Sequence, residues 1–539
     1  MWFFWRGLWR EHGLALLLIS LLALPYFWNL QHAPTFVNQD ELGFALNARA
    51  ISKSGYDTNG RLLPLYLWHL ETMWAPAINA YWMALWLLVI PFEIGWLRMA
   101  SAIVGLGCAW ILYLAAREAQ LPRRTAIVAM MFLAIAPAHF IHSRIVLEHV
   151  FALFFQLAWS YFLLKYVRMK NLGDLFLAGL MLGAGFHSYH ATKILMPLAW
   201  LFTLLVLRKN WWTKRHWQVA AVASLGFWMP LVPLITWLPR YPETFVDQVR
   251  YNQLYNASDG IVTGLASMLT WESVYSRTSV YLSYFNPSFI WTRSDISLVH
   301  STREAGALLL PTIFLLPFGL RYAWRERHGL LVKIVWFCVI SAPIPTAIAN
   351  QGERVSRVLP MVVGLVVIVA WGWQELWETK TRKKYTYASL VVVFTIVFYV
   401  GFLMDYFDDY RVRSADWFNG NMEGVVAQAA TLAPNTGEVV VYVDNEMRFA
   451  KQYFDFYKDK YEIENVIVRK LPEESVELSQ YKSGEILVLK SSAYAQFAHQ
   501  QCRGSARSIG ARAGSGVLRA KDLVTYLLLA LCIAAQRYL

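Results

Sequence analysis

Six groups of ionisable residues stand out in this largely apolar chain, and their types suggest proton transfer and anion binding. Asn38-Gln39-Asp40-Glu41 comes first. Adjacent carboxylates repel, so one holds its proton more tightly unless a cation or metal balances the pair. Such a group can take a proton from an attacking hydroxyl or amine. The plainer alternative is a helix N-terminus, with Asn38 or Asp40 capping a helix through LGFALNARAIS. His69-Leu-Glu71 follows. Glu71 could join Asp40 around a metal, or be a solvated loop charge. In Ser143-Arg144-Ile-Val-Leu-Glu148-His149, Arg144 could grip a phosphate bidentately or simply snorkel, and Glu148 falls at the membrane rim. His187-Ser-Tyr-His190-Ala-Thr-Lys193 has two imidazoles three residues apart. They could share a ligand on a helix, or line a polar cavity beside a Lys193 that meets phosphate. His300-Ser-Thr-Arg303-Glu304 and Gln351-Gly-Glu353-Arg354-Val-Ser-Arg357 complete the set, with interfacial charge as the alternative for both.

Taken together these groups supply a base for a nucleophile and cations for a phosphate that acquires charge as it leaves. No Gly-rich phosphate loop is present to hold a soluble nucleotide. A lipid phosphate reached sideways from a bilayer fits better.

The elements that must position these residues are membrane helices. Of 539 residues, 57% are hydrophobic and only 16% charged. The mean hydropathy is +0.36. A soluble enzyme, a disordered chain and a nucleic-acid binder are all excluded on that balance, and the net charge of +13 reads as basic cytoplasmic loops. The four cysteines form no CxxC pair or disulfide framework. A spanning helix needs about 20 apolar residues. Eleven candidate spans fall near 13–30, 98–116, 125–141, 148–168, 173–188, 191–207, 217–238, 305–321, 331–349, 357–375 and 386–405.

The apolar segment 76–92 is a special case. Arg6 and Arg10 mark a cytoplasmic N-terminus. If 76–92 crossed, Arg117/Arg123/Arg124 and every later basic cluster would fall outside. If it lies at the interface as a broken helix, with Trp82, Trp86, Pro76 and Pro91, the clusters fall inside. The ionisable groups then gather on the outer face. No internal repeat suggests a transporter with inverted halves. Aromatics over 251–291 could form an ordinary belt, stack on sugars or line a lipid groove.

Polar residues return after 405. Runs at 438–443, 465–470 and 485–490 alternate with helical stretches near 416–432 and 447–461, which predicts a small α/β domain over 406–500. Residues 501–539 read as a flexible tail, with a short apolar run at 523–535.

At these motifs the sequence resembles the GT-C superfamily of polytopic glycosyltransferases that use polyprenyl-phosphate sugars. Within it the chain is similar to the protein O-mannosyltransferases and the aminoarabinose transferases that modify lipid A. The resemblance covers roughly residues 10–405. Asp40-Glu41 resembles the family's Asp-Glu motif, and ETMWAPAINAYW its Glu-Lys-Pro segment on a juxtamembrane helix, with Met73-Trp74 in place of the usual Lys. SRIVLEHVFALFF, GLMLGAGFHSYHATK and SRVLPMVVG match later stretches. The Trp-Trp-Asp-Tyr-Gly motif of oligosaccharyltransferases is absent, which argues against en bloc glycan transfer.

The resemblance implies a mainly α transmembrane catalytic domain over 1–405, with juxtamembrane helices in a first periplasmic loop over 31–97. It implies an inner-membrane enzyme with a cytoplasmic N-terminus, and with active site and C-terminal domain on the periplasmic side. A sugar would pass from polyprenyl phosphate to a protein, lipid or glycan acceptor with inversion. Asp40 would be the base and Glu41 its partner, while Arg144 and Lys193 would hold the phosphate. Glu71, Glu148, His187, His190, His300, Glu353 and Arg357 are expected as acceptor or metal contacts, with a divalent metal as a possible cofactor. A transporter or lipid flippase is the rival from another class, and a non-catalytic scaffold or receptor displaying 406–500 is a third reading.

Overall fold

Six helices among the described residues are long and apolar enough to cross a membrane: Ile94–Glu118, His149–Met169, Trp217–Trp237, Leu330–Ala349, Leu359–Glu378 and Lys383–Phe407. A seventh is the pair Arg123–Ala134 and Pro137–Ser143, bent by 63°. Pro137 causes the bend, because it has no N–H to donate and pushes Ala136 out of the helical region. Shorter apolar helices cover Glu11–Phe27, Leu172–Phe186 and Thr192–Val206. The computed structural model describes residues 2–208, 214–251, 254–255, 260–380, 382–432, 439–443, 448–463, 466–470 and 486–488. The run at 523–535 and the tail over 501–539 lie outside the described residues.

The span expected at 305–321 is not a single helix. Pro311 and Pro317 break it into a 3-10 turn over Leu310–Leu315 and a ten-residue helix, Leu316–Arg325. The segment 76–92 holds only a nine-residue helix, Ile78–Trp86, about 13 Å long at 1.5 Å per residue and too short to cross ~30 Å of hydrocarbon.

The chain divides into two compact units. The first comprises 1–35 and 47–414, and the second 36–46 and 415–539. In order, the first elements are α1 (Trp2–Phe27), α2 (Gln39–Ser54), β1 (Tyr66–His69), β2 (Met73–Pro76), α3 (Ile78–Trp86), α4 (Ile94–Glu118), α5 (Arg123–Ala134), α6 (Pro137–Ser143), α7 (His149–Met169), α8 (Leu172–Phe186), α9 (Thr192–Val206) and α10 (Lys214–Trp228). In the first unit α4 packs on α5 and α7, and α8 packs on α7 and α10. Gly179 and Gly183 of α8 and Gly226 of α10 let those two backbones touch. A Cβ at any of them would strike a carbonyl of the facing helix. Leu359–Glu378 lies at the centre, with every residue from Leu359 to Gly372 buried. Lys383–Phe407 instead exposes Val393, Phe394, Ile396 and Val397, as a helix facing lipid would.

The second unit contains a three-stranded parallel sheet in the order β4-β3-β5, formed by β3 (Val439–Val443), β4 (Val466–Lys470) and β5 (Ile486–Val488). All three strands fall within the β-branched runs identified in the sequence. Helices Met422–Leu432 and Ala450–Tyr457 pack against one another.

Candidate functional site

The α8–α9 turn carries the strongest chemistry in the first unit. Its own hydroxyls tie it: Ser188 Oγ donates to the Gly185 carbonyl at 2.6 Å and Thr192 Oγ1 to that of Tyr189 at 2.6 Å. The turn thereby fixes His187, Tyr189 and His190, and sets Lys193 in the first turn of α9. His187 Nε2 donates to the Pro230 carbonyl at 3.0 Å, so its Nδ1 accepts from the Tyr66 hydroxyl at 3.1 Å. Burial pushes its pKa down to about 4, and the ring is neutral.

Lys193 Nζ is buried and has no hydrogen-bond partner among the described residues. It rests 4.9 Å from the ring centres of both Tyr66 and Phe245. Such cation–π contacts return about 2 kcal/mol at best, while a buried ammonium also seeks acceptors for three N–H groups. His190 has both ring nitrogens buried and unpartnered. Burial first, then the charges of Lys193 and Arg357, hold its pKa well below the ordinary value. Two cations and a neutral imidazole thus lie within electrostatic reach of one another.

Three further elements close on this turn. His142 Nδ1 donates to the Ala138 carbonyl at 2.7 Å, which leaves its Nε2 as acceptor for His300 Nδ1 at 3.1 Å. Those two rings stack 5.1 Å apart. His149 meets both edge-on and lies 4.7 Å from the Tyr189 ring. Ser356 and Arg357 lie at the Tyr189 hydroxyl. Arg357 closes the 3-10 turn Val355–Arg357, and buried Asp295 clamps that turn by accepting from Val355 N at 2.8 Å and Arg354 Nη1 at 3.3 Å. Glu148 stands at the N-cap position of α7 without a side-chain capping bond, is buried, and bears on Tyr189 through its charge. The arrangement is a cationic, hydrogen-bond-donating seat of a kind that suits an anion.

Several expected contacts turn out otherwise. Arg144 does not offer itself to a phosphate. Its Nη1 donates to the carbonyls of Pro25 (2.6 Å) and Tyr26 (2.7 Å), its Nη2 to those of Trp28 (2.8 Å) and Ala33 (3.0 Å), and its Nε to the Tyr406 hydroxyl (3.4 Å). Four of the five donors cap the end of α1 and the chain beyond it, and the fifth goes to Tyr406. Arg98 assists through the carbonyls of Leu30 and Pro34. Both nitrogens of His187 are engaged, so it cannot ligate a metal. Among the described residues no cluster of three or more His, Cys, Asp or Glu converges on a metal position. Glu71 is exposed at the tip of the β1–β2 hairpin, with left-handed backbone at φ 58°. Glu353 lies apart from the turn, on a shallow pocket with Ser279, Ser283 and Ile296.

Asp40 and Glu41 belong to the second unit. Asn38 Oδ1 accepts from Asp40 N at 2.9 Å and Glu41 Oε2 accepts from Asn38 N at 3.1 Å, a reciprocal capping box at the start of α2. Glu41 is fully buried and Asp40 half-buried. Tyr453 donates to the Val37 carbonyl at 2.7 Å, and Asn38 Nδ2 to that of Trp417 at 3.2 Å. The C-terminal segment thus holds the stretch that carries Asp40.

Of the residues that build the α8–α9 site, Tyr66, Phe245, His142, Tyr189 and Asp295 were not singled out in the sequence. Tyr66 lies 121 positions from His187, and no local pattern joins them.

Residues 75–237 match the sequence profile of the family described as Dolichyl-phosphate-mannose-protein mannosyltransferase. That stretch holds the α8–α9 turn, His142 and His149. No curated protein sequence matches the chain significantly. Among solved structures, the fold is similar to ArnT from Cupriavidus metallidurans in the apo state, at 14% identity, TM-score 0.53, over 84% of this chain and 85% of that one. The same protein bound to undecaprenyl phosphate matches at 12% identity and TM-score 0.54, over 86% and 87% of the two chains. The archaeal oligosaccharyltransferase AglB from Archaeoglobus fulgidus, in complex with an inhibitory peptide and a dolichol-phosphate, is 15% identical over 91% of this chain and 63% of that one, with a TM-score of 0.49. The resemblance expected from the motifs is borne out: the chain has the ArnT-like GT-C fold, and residues 75–237 match the mannosyltransferase profile.

Proposed function

We propose that this protein is a membrane glycosyltransferase that draws its sugar from a polyprenyl-phosphate donor, and that Lys193, with His190 and Arg357, seats the leaving phosphate. One observation carries the reading: Lys193 Nζ is buried with no hydrogen-bond partner among the described residues, next to an imidazole with both nitrogens unpartnered. A lysine kept this way is costly unless a ligand supplies the missing acceptors. The undecaprenyl phosphate bound to ArnT, a protein of the same fold, supports a lipid phosphate as that ligand.

In the proposed reaction the acceptor oxygen or nitrogen attacks the anomeric carbon. Its proton passes to the Asp40 carboxylate, the role the family resemblance gives that residue, and Glu41 orients Asp40 through the helix cap. The bond from the anomeric carbon to the phosphate oxygen breaks on the opposite face, so the configuration inverts. Negative charge grows on the departing phosphate, and Lys193 and Arg357 stabilise it more than they stabilise the donor. The acceptor is a protein, a lipid or a glycan. The proposed setting is a bacterial inner membrane, with the N-terminus cytoplasmic and with site and C-terminal domain on the periplasmic side. The purified protein should release polyprenyl phosphate from one member of a panel of radiolabelled polyprenyl-phosphate sugars, given a membrane extract as acceptor source. Lys193→Ala and Asp40→Asn should each lose most of that release. Wild-type turnover by a folded Lys193→Ala protein would overturn the phosphate seat, and no release with any donor would favour lipid flipping instead.

A further inference from the structure

The β1–β2 hairpin, whose Tyr66 lies against Lys193, also helps to build a separate pocket, of about 390 Å³ and open on one side. Trp68 and Trp74 are paired across the hairpin and meet edge-on, with ring centres 5.4 Å apart. Tyr241 lies 5.5 Å from Trp74. The Arg61 guanidinium spans Trp74 at 4.7 Å and Tyr241 at 5.7 Å. Buried Asp57 fixes that guanidinium, accepting from Arg61 Nε at 2.8 Å, while Arg61 Nη2 is buried with no hydrogen-bond partner among the described residues. Asn59, Glu243 and Asp247 form the polar rim.

The charge balance separates this pocket from the phosphate seat. Arg61 is neutralised by Asp57, and Asp247 by Arg250 at 3.3 Å, which leaves Glu243 without an ion-pair partner among the described residues. A phosphate or carboxylate ligand would meet repulsion. An aromatic lining of Trp68, Trp74 and Tyr241 with a few polar groups at one edge matches a ring that is apolar on its face and hydroxylated at its rim. The spare Arg61 Nη2 would donate to one hydroxyl, and the Glu243 carboxylate would accept from another or from an ammonium.

We propose that this pocket binds an uncharged or amino-bearing sugar ring, as a saccharide site separate from the Lys193 seat. The inference rests on this pocket alone and does not require the transfer reaction. Saturation-transfer NMR on the full-length protein in detergent tests it, with methyl glucoside, methyl mannoside, glucosamine and glucuronate as probes. The ring protons of a neutral or amino sugar should receive transfer, and glucuronate should not. Trp68→Ala and Glu243→Gln should each weaken the signal roughly three- to tenfold at unchanged melting temperature, with Trp68→Phe retaining most of it. Silence from every neutral and amino probe, equal signals in both weakened variants, or a preference for glucuronate would each overturn the proposal. No polyprenyl donor enters the experiment, so its failure leaves the phosphate seat untouched.

Discussion

Arg144 and Lys193 both place their basic nitrogens inside the helical unit, yet Arg144 donates all five of its N–H groups to the protein while Lys193 Nζ has no hydrogen-bond partner among the described residues. The difference separates a charge used to build from a charge kept for a ligand. Each of Arg144's carbonyl partners lies past the last satisfied turn of α1 or in the chain beyond it, where main-chain acceptors otherwise go unpaired. Lys193 rests on Tyr66 and Phe245, which hold it in place and give its N–H groups no lone pair. Burial of a polar group without a partner is tolerated where function uses it.

Removal of Arg144 should therefore damage the fold most. Arg144→Ala removes the side-chain donors of the Pro25, Tyr26 and Trp28 carbonyls and leaves the Ala33 carbonyl to the Tyr406 hydroxyl alone, at a cost of about 3–5 kcal/mol, by the scale of breaking a buried charged network. Thermal unfolding of the purified protein should show a large drop, or little folded protein should be recovered. Arg144→Lys should rescue poorly, since three donors cannot serve five acceptors. A stable, folded Arg144→Ala protein lacking only transfer activity would return this residue to the phosphate.

Lys193 should behave in the opposite sense. Lys193→Met keeps the stem against Tyr66 and Phe245 and removes an uncompensated buried charge, so the melting temperature should hold or rise. Sugar transfer should fall about 10²–10³-fold, the scale for losing one group that stabilises developing charge. Parallel loss of stability and activity would show that Lys193 is structural after all.

The two histidines of the same turn repeat the contrast on a smaller scale, since His187 is fully hydrogen-bonded and His190 is unpartnered. The His187 pKa lies at about 4 in the folded state and ~6.5 unfolded. The unfolded chain binds the extra proton between those values, so the stability that neutral His187 contributes is complete above pH 6.5 and is lost as pH falls toward 4. The full loss is on the order of 3 kcal/mol from that shift. The melting temperature of wild type relative to His187→Gln should fall over that window and stay flat above pH 7, because glutamine can make both hydrogen bonds without titrating. A flat difference throughout would mean that the ring is not neutral and buried as described.

The contrast also separates what residue order reveals from what it hides. The long apolar runs were legible because crossing hydrocarbon demands length and composition that survive in one dimension. The run at 305–321 misled because Pro311 and Pro317 sit inside an otherwise suitable stretch. His187, His190 and Lys193 stand three residues apart in sequence and share one turn, but nothing in their order marks which of them the protein hydrogen-bonds. Arg144 was visible as a cation that grips a phosphate or snorkels, but its partners are mainly main-chain carbonyls, which every residue carries and no sequence marks. The β1–β2 hairpin has strands of only four residues, too short for an alternation to register. Asn38 and Glu41 were three apart, and the cap they form was one of the two readings their spacing allowed.

That cap offers the smallest test, and it concerns the second unit. Asn38 satisfies the amide of Asp40, and Glu41 satisfies the amide of Asn38. Tyr453 fastens the preceding residue through the Val37 carbonyl and is itself held by Asn419 at 2.9 Å. Asn38→Ala should cost about 1 kcal/mol, and Tyr453→Phe a similar amount by leaving one buried carbonyl unpaired. Hydrogen exchange of the peptide 36–46 should then quicken roughly fivefold in each variant, the factor that corresponds to 1 kcal/mol of local opening. If holding this segment is what the C-terminal unit contributes, transfer should fall severalfold in both variants with the donor KM unchanged, since Lys193 and its neighbours are intact. Faster exchange with full activity would instead assign the C-terminal unit a task other than steadying Asp40.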